Sequence, residues 1–96
     1  MLLGDIIARL EDDAVADEAL ISLGDLALAA RVAAAASQEA LTRGEFVATC
    51  VGQFAAHSSD EQWLTVLGQM GRAEDPGRVF LRHAIEAALG PAGPAA

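Results

Sequence analysis

The stretch TRGEFVATCVGQFAA, residues 42–56, decides the fold class of this chain. It begins with Thr42 and Glu45, whose spacing is that of a capping box, in which each side chain bonds the backbone N–H at the other's position. Large apolar residues then recur every three or four positions, as they do on one face of a helix. On that face lie Val47, Val51 and Phe54. The stretch therefore predicts a capped helix that runs to about residue 56.

Similar start and stop signals divide the rest of the chain. Asp and Ser are preferred N-caps, and Gly commonly follows the last turn of a helix. Ser58 has capping-box spacing to Glu61, and Pro76 is a favoured first helical residue. The predicted starts are Asp5, Asp13 (for a helix over 14–23), Asp25 (for a helix over 26–41), Ser58 and Asp75, and the predicted breaks or ends are Gly24, Gly71 and Gly90. One bent helix across Gly24 remains an alternative.

No segment alternates at the period of a strand, so the predicted fold class is all-α. We expect a compact bundle of five to six short helices, formed by a single domain over residues 1–90. Residues 91–96 are expected to be a flexible tail, because they offer little to anchor them. Gly71 and Gly90 should adopt left-handed or otherwise helix-ending backbone. Gly52 and Gly68 lie inside predicted helices, where a close helix crossing would explain them.

Three short patterns occur twice in the same order, which points to an internal duplication. They are GDIIA and GEFVA at 4–8 and 44–48, LxxLGx[LM] at 20–26 and 64–70, and RV followed by EA at 31–40 and 78–87. A duplication predicts two pseudo-repeated three-helix units over about 4–43 and 44–90. All four aromatic residues lie in the second unit, which should hold the bulkier core. The alternative is that any helical chain capped by Gly and acids shows such matches.

Composition excludes several classes of function. The net charge is −8, from 14 acidic residues against 6 arginines, and most of the acids lie in the first half. Such a surface repels phosphate, so we expect neither nucleic-acid nor membrane binding. The lack of Lys, Asn and Tyr beside abundant Ala is typical of a GC-rich bacterial genome. With one cysteine, no basic signal-peptide start and no long apolar run, the expected location is the cytoplasm.

Few residues offer catalytic or metal-binding chemistry. Cys50 and His57 share one predicted helix, two turns apart, and His83 on the last helix could approach them. Such a set could bind a metal or support a thiol nucleophile. Against this, no CxxC or short metal spacing is present, and Cys50 lies among apolar neighbours as a buried cysteine does. The sequence therefore predicts no catalytic site and no cofactor.

The acidic cluster of the first half is the candidate interaction surface. Its residues are Glu11, Asp12, Asp13, Asp17 and Glu18, which alternatively form only a solvated helix cap. The predicted function is a non-enzymatic protein-interaction module, that is, an adaptor, regulator or assembly factor. Its partner is another protein, with a basic surface as one option, or a second copy in a homodimer. The alternatives are a metal, redox or cofactor protein using Cys50, His57 and His83, and an acidic inhibitor or antitoxin-like protein.

Overall fold

The structure is a computed structural model that describes residues 3–90, and it confirms the all-α class. Six helices and no strand occur in that range, and none of the six is both long and apolar enough to cross a membrane. The helices are α1 Leu3–Leu10, α2 Asp13–Ser22, α3 Leu26–Gln38, α4 Arg43–His57, α5 Asp60–Met70 and α6 Pro76–Leu89. The predicted tail lies outside the described residues.

Three of the predicted helix starts are confirmed by their capping bonds. The Thr42 Oγ1 accepts from the Glu45 N–H at 3.1 Å, and the Glu45 carboxylate accepts from the Thr42 N–H at 2.8 Å. The Asp25 carboxylate accepts from the Leu28 N–H, and Asp75 caps α6 with Pro76 in its first turn. Gly24 separates α2 from α3 with a φ of +68°, so these are two helices and not one bent helix.

Two predicted caps are wrong by one residue. The N-cap of α2 is Asp12 and not Asp13, because the Asp12 carboxylate accepts from two N–H groups of the first turn. The capping box of α5 uses Ser59 and Gln62 instead of Ser58 and Glu61. Ser58 is engaged by the preceding helix, since its Oγ donates to the Phe54 carbonyl at 2.6 Å.

The helix ends differ in backbone conformation. Gly90 has a φ of +80°, as predicted, and its N–H donates to the Glu86 carbonyl. Gly71 also ends its helix, but with φ −65° and ψ −20° it stays right-handed. The end of α3 comes before the predicted residue 41, because Ala40 adopts a φ of +57° and the Leu41 N–H turns back to the Ala36 carbonyl.

Helix α4 lies at the centre of the bundle and packs on α1, α2, α3 and α6. Its buried face carries Phe46, Val47, Cys50, Val51 and Phe54. Helix α4 approaches α2 closely at Gly44, where no room is left for a side chain next to the Asp13 carbonyl. Close crossing does not explain the other two glycines, because a Cβ at Gly52 would meet no atom and one at Gly68 would meet only Arg72.

Three of the four aromatic residues pack where α4, α5 and α6 meet. The Phe54 ring lies edge-on to Trp63 and to Phe80, with centroids 5.5 and 5.6 Å apart, and Trp63 stacks on Phe80 at 6.1 Å. Phe80 is fully buried, whereas Trp63 is half-buried at the edge of the core. The first half of the chain fills its share of the core with aliphatic residues and alanine.

The two halves of the chain pack differently. In the first, α1 packs on α2, while α3 packs on α4 and α6 of the other half. In the second, both α4 and α5 pack on α6. Each half holds three helices, but the duplication stays a prediction, and a superposition of 4–43 on 44–90 tests it.

Candidate interaction groove

An open groove of about 490 Å³ lies between α1, α2 and the junction of α5 with α6. This volume is within the range of roughly 300–1,000 Å³ typical of ligand sites. Most of its lining is apolar and comes from four helices. The apolar lining includes Ile6, Leu10, Val15, Ala19, Met70 and Leu81. We call this site the α1–α2–α6 groove.

Helical spacing places these side chains in the groove. On α1, Ile6 and Leu10 are four residues apart and therefore lie on one face, as do Val15 and Ala19 on α2. The first turn of α6 closes the third side, where Gly77 would bring a Cβ to 4.0 Å from the Ile6 methyl group. Besides these three helices and the end of α5, no helix of residues 3–90 lines this groove.

One of the two arginines at the groove, Arg78, has an ion pair, and the other, Arg9, has none within residues 3–90. Arg78 is neutralised locally, because its Nε lies 3.3 Å from Oδ2 of Asp75, which also caps α6. Arg9, which is exposed, has no ion pair with any residue of the described range. The groove therefore offers an apolar floor and, at its edge, a guanidinium that no acid of residues 3–90 pairs with. Such a site can bury a row of aliphatic groups and bind one carboxylate.

Some residues of the predicted acidic cluster stabilise the fold, and others form no ion pair with the described residues. Asp12 caps α2, and Oδ1 of Asp17 lies 3.0 Å from Nε of Arg43, which ties α2 to α4. Within residues 3–90, Glu11, Asp13 and Glu18 are exposed and have no ion pair. Glu18 lies one turn along α2 from Val15, so it stands beside the groove.

The structure does not bring Cys50, His57 and His83 together. Cys50 is buried, and this burial, with a smaller effect of the Glu39 charge, raises the pKa of its thiol to about 11. His57 is the exposed last residue of α4, and His83 on α6 is hydrogen-bonded to Gln69 of α5 at 2.5 Å. No three His, Cys, Asp or Glu side chains within residues 3–90 are placed to hold a metal. A thiol protonated at neutral pH is also a poor nucleophile.

Sequence reasoning missed most of the groove. Val15 lines the groove and is 37% exposed, whereas Leu20 on the same helix is buried. Nothing in the sequence indicated that the start of α6 lies beside α1. Searches against protein-family models, curated proteins and solved structures find no match to this chain.

Proposed function

We propose that this protein is a non-enzymatic protein-interaction module, an adaptor, regulator or assembly factor, whose α1–α2–α6 groove holds the apolar face of a helix from another protein. The observation that carries the proposal is the open, mostly apolar groove with Arg9, unpaired within residues 3–90, at its edge. Grooves of this kind bind amphipathic helices through large side chains at the i, i+3, i+4 and i+7 positions. A cytoplasmic location and the absence of catalysis are part of the same proposal.

The charges around the groove define the partner further. Arg9 favours an acidic residue next to the partner's apolar row, because an unpaired guanidinium at the rim gains a charge-assisted hydrogen bond. Glu18 and Asp13, the two acids of α2 that have no ion pair within residues 3–90, favour basic residues on the outer flank of the partner helix. The proposed partner is therefore an amphipathic helix with aliphatic anchors, one acid at the groove and a basic outer edge.

Two matched variants on α2 test the proposal. Val15→Glu places a carboxylate in the groove, whereas Ile21→Glu adds the same charge at a residue that is 58% exposed and does not line the groove. Each is used to capture partners from cells that make the protein. We expect at least one partner whose affinity falls by about tenfold or more with Val15→Glu, or ~1.4 kcal/mol, but not with Ile21→Glu.

The partner segment is then identified by competition with synthetic peptides, and an apolar helical segment is expected. Circular dichroism and thermal unfolding confirm that both variants are folded. If Val15→Glu is unstable, Arg9→Glu tests the same groove through an exposed residue. Partners that bind both α2 variants equally, at a surface other than the groove, would show that the proposed function is wrong.

An acidic inhibitor or antitoxin-like protein is a second candidate function. It is favoured by Glu11, Asp13 and Glu18, three exposed acids of the predicted cluster that form no ion pair with any residue from 3 to 90. Binding through exposed charges weakens steeply as salt is added, because ions screen the attraction. In the same captures, a basic partner released by salt and unaffected by Val15→Glu would support this function over the first.

A further inference from the structure

The outward side of α5 carries four exposed residues at intervals of four. They are Asp60, Leu64, Gly68 and Arg72, and we call them the α5 ridge. Residues four apart form one continuous row on the surface of a helix. Arg72 follows the last turn and reaches back along this row, since its Nη1 lies 3.8 Å from where a Gly68 Cβ would be. The ridge therefore runs acid, leucine, glycine, base.

Nothing in the described chain covers the α5 ridge. Helix α5 packs chiefly on α6, through the opposite side that carries Val66 and Met70. Leu64 is 73% exposed although it lies in the middle of the helix. Neither Asp60 nor Arg72 forms an ion pair with any residue from 3 to 90.

The order of these residues makes the ridge complementary to itself when it is reversed. In an antiparallel pair centred near Val66, Asp60 of one copy opposes Arg72 of the other, at both ends. Leu64 of one copy opposes Gly68 of the other, which has no side chain of its own and lies beside Nη1 of Arg72. A parallel pair would instead place Asp60 against Asp60 and leucine against leucine. Contacts that repeat in exchanged positions are the mark of a two-fold interface.

We propose that α5 is a self-association surface, through which two copies of this chain form an antiparallel two-fold dimer. The proposal accounts for three features together: an exposed leucine, two unpaired opposite charges and a glycine inside a helix. Glycine is unfavourable at such a position relative to alanine, and among residues 3–90 a Cβ there would contact only the exposed Arg72 side chain. The α5 ridge is separate from the α1–α2–α6 groove, so the dimer proposal and the proposed function can be disproved independently.

The dimer should be weak and reversible. One short helix per copy gives a smaller interface than the roughly 800 Å² per partner of stable complexes. We therefore expect a dissociation constant between about 1 μM and 1 mM. Sedimentation equilibrium of the complete chain over this concentration range should show a monomer–dimer equilibrium.

A charge-exchange experiment tests the antiparallel pairing. Asp60→Arg places arginine against Arg72 of the second copy, and Arg72→Asp places aspartate against Asp60, so each variant alone should lose its dimer. When the two variants are mixed in equal amounts, a dimer with one copy of each has no arginine opposite another arginine. Opposite charges then pair at both ends. We expect the mixture to recover dimer near the concentration at which the unchanged chain does.

Leucine variants provide the matched control. Leu64→Asp should abolish dimerisation, whereas Leu26→Asp, at a leucine that is 86% exposed at the start of α3, should leave it unchanged. Thermal unfolding checks that each variant folds, and both leucines are exposed enough for the substitution to be tolerated. The proposal is overturned if the unchanged chain is monomeric up to 1 mM, if Leu64→Asp still dimerises, or if the charge variants do not recover dimer when mixed.

Discussion

Gly44 lies where the first turn of α4 meets the first turn of α2. A side chain at this position would overlap the Asp13 carbonyl, which belongs to a neighbouring backbone and cannot turn aside. Gly52, two turns further along the same helix, has open space around its missing Cβ. Two glycines of one helix thus have different roles, since only the first is required by packing.

Alanine substitutions should separate these two roles. Gly44→Ala should lower the free energy of unfolding by about 1–3 kcal/mol, because it forces α2 and α4 apart. Gly52→Ala should raise it by about 0.5–1 kcal/mol, since alanine favours helix and meets no obstacle. Urea denaturation of the two variants measures both changes. Changes of the same sign would contradict the packing argument.

At the scale of the helices, short side-chain bonds set where each element begins. The start of α5 has two adjacent serines and two adjacent acceptors, so a capping box could be drawn in two registers from the sequence. The structure selects Ser59 with Gln62, because Ser58 already bonds the last turn of α4. The register of the capping box is therefore set by the short connection between α4 and α5, because Ser58 bonds the helix before it and Ser59 caps the helix after it.

Replacing each serine tests that choice. Ser59→Ala should cost about 1 kcal/mol of stability, because it leaves the Gln62 N–H without its acceptor. Ser58→Ala removes a bond to a carbonyl that also accepts from the Ser58 N–H, so its cost should be smaller. The midpoints of urea unfolding give the order of the two variants. A larger loss for Ser58→Ala would mean that Ser58 is the effective cap.

At the scale of the whole molecule, ion pairs and hydrogen bonds connect helices that are distant in sequence. Asp25, the cap of α3, accepts from Arg82 of α6 at 2.9 Å, and Arg31 of α3 donates to the Gly90 carbonyl at 3.1 Å. The Leu28 N–H and, to a lesser extent, Arg82 stabilise the ionised carboxylate of Asp25 and lower its pKa below the ordinary value. One side chain therefore links local capping to the packing of α3 against α6.

This lowered pKa predicts how stability depends on pH. The contribution of Asp25 is present above the pKa of the unfolded chain, about pH 4, and is lost as the pH falls through the lower pKa of the folded state. Asp25→Asn keeps a capping side chain but has no charge to titrate. Its loss of stability between pH 5 and pH 2 should therefore be smaller than that of the unchanged chain.

Arg82→Gln provides the control, since it removes one cause of the lowered pKa and leaves the Leu28 bond. Its loss of stability on acidification should lie between those of the unchanged chain and Asp25→Asn. Urea unfolding at a series of pH values measures all three. Equal losses in the three proteins would show that Asp25 does not contribute to the pH dependence.

The sequence by itself determined the fold class and most of the helix map, because caps and breaks act within a few residues. Thr42 with Glu45, Asp25 after Gly24, and Asp75 before Pro76 all appear in the structure as predicted. Its two wrong N-caps, where the structure uses Asp12 and Ser59, are shifts of one residue between neighbours of similar chemistry, and its other errors are in where α1 begins and where α3 ends. The burial of Cys50 was also predictable, from the apolar residues around it.

Only the tertiary structure decided which faces stay open. The α1–α2–α6 groove combines residues from both ends of the chain, and helical spacing cannot say which helices leave a gap between them. The same applies to the α5 ridge, because Leu64 has the spacing of a core residue but faces solvent. Periodicity identifies an apolar face of a helix. Whether another helix buries that face depends on packing between helices that are distant in sequence. The two surfaces proposed for binding are therefore the part of this protein that its sequence left undetermined.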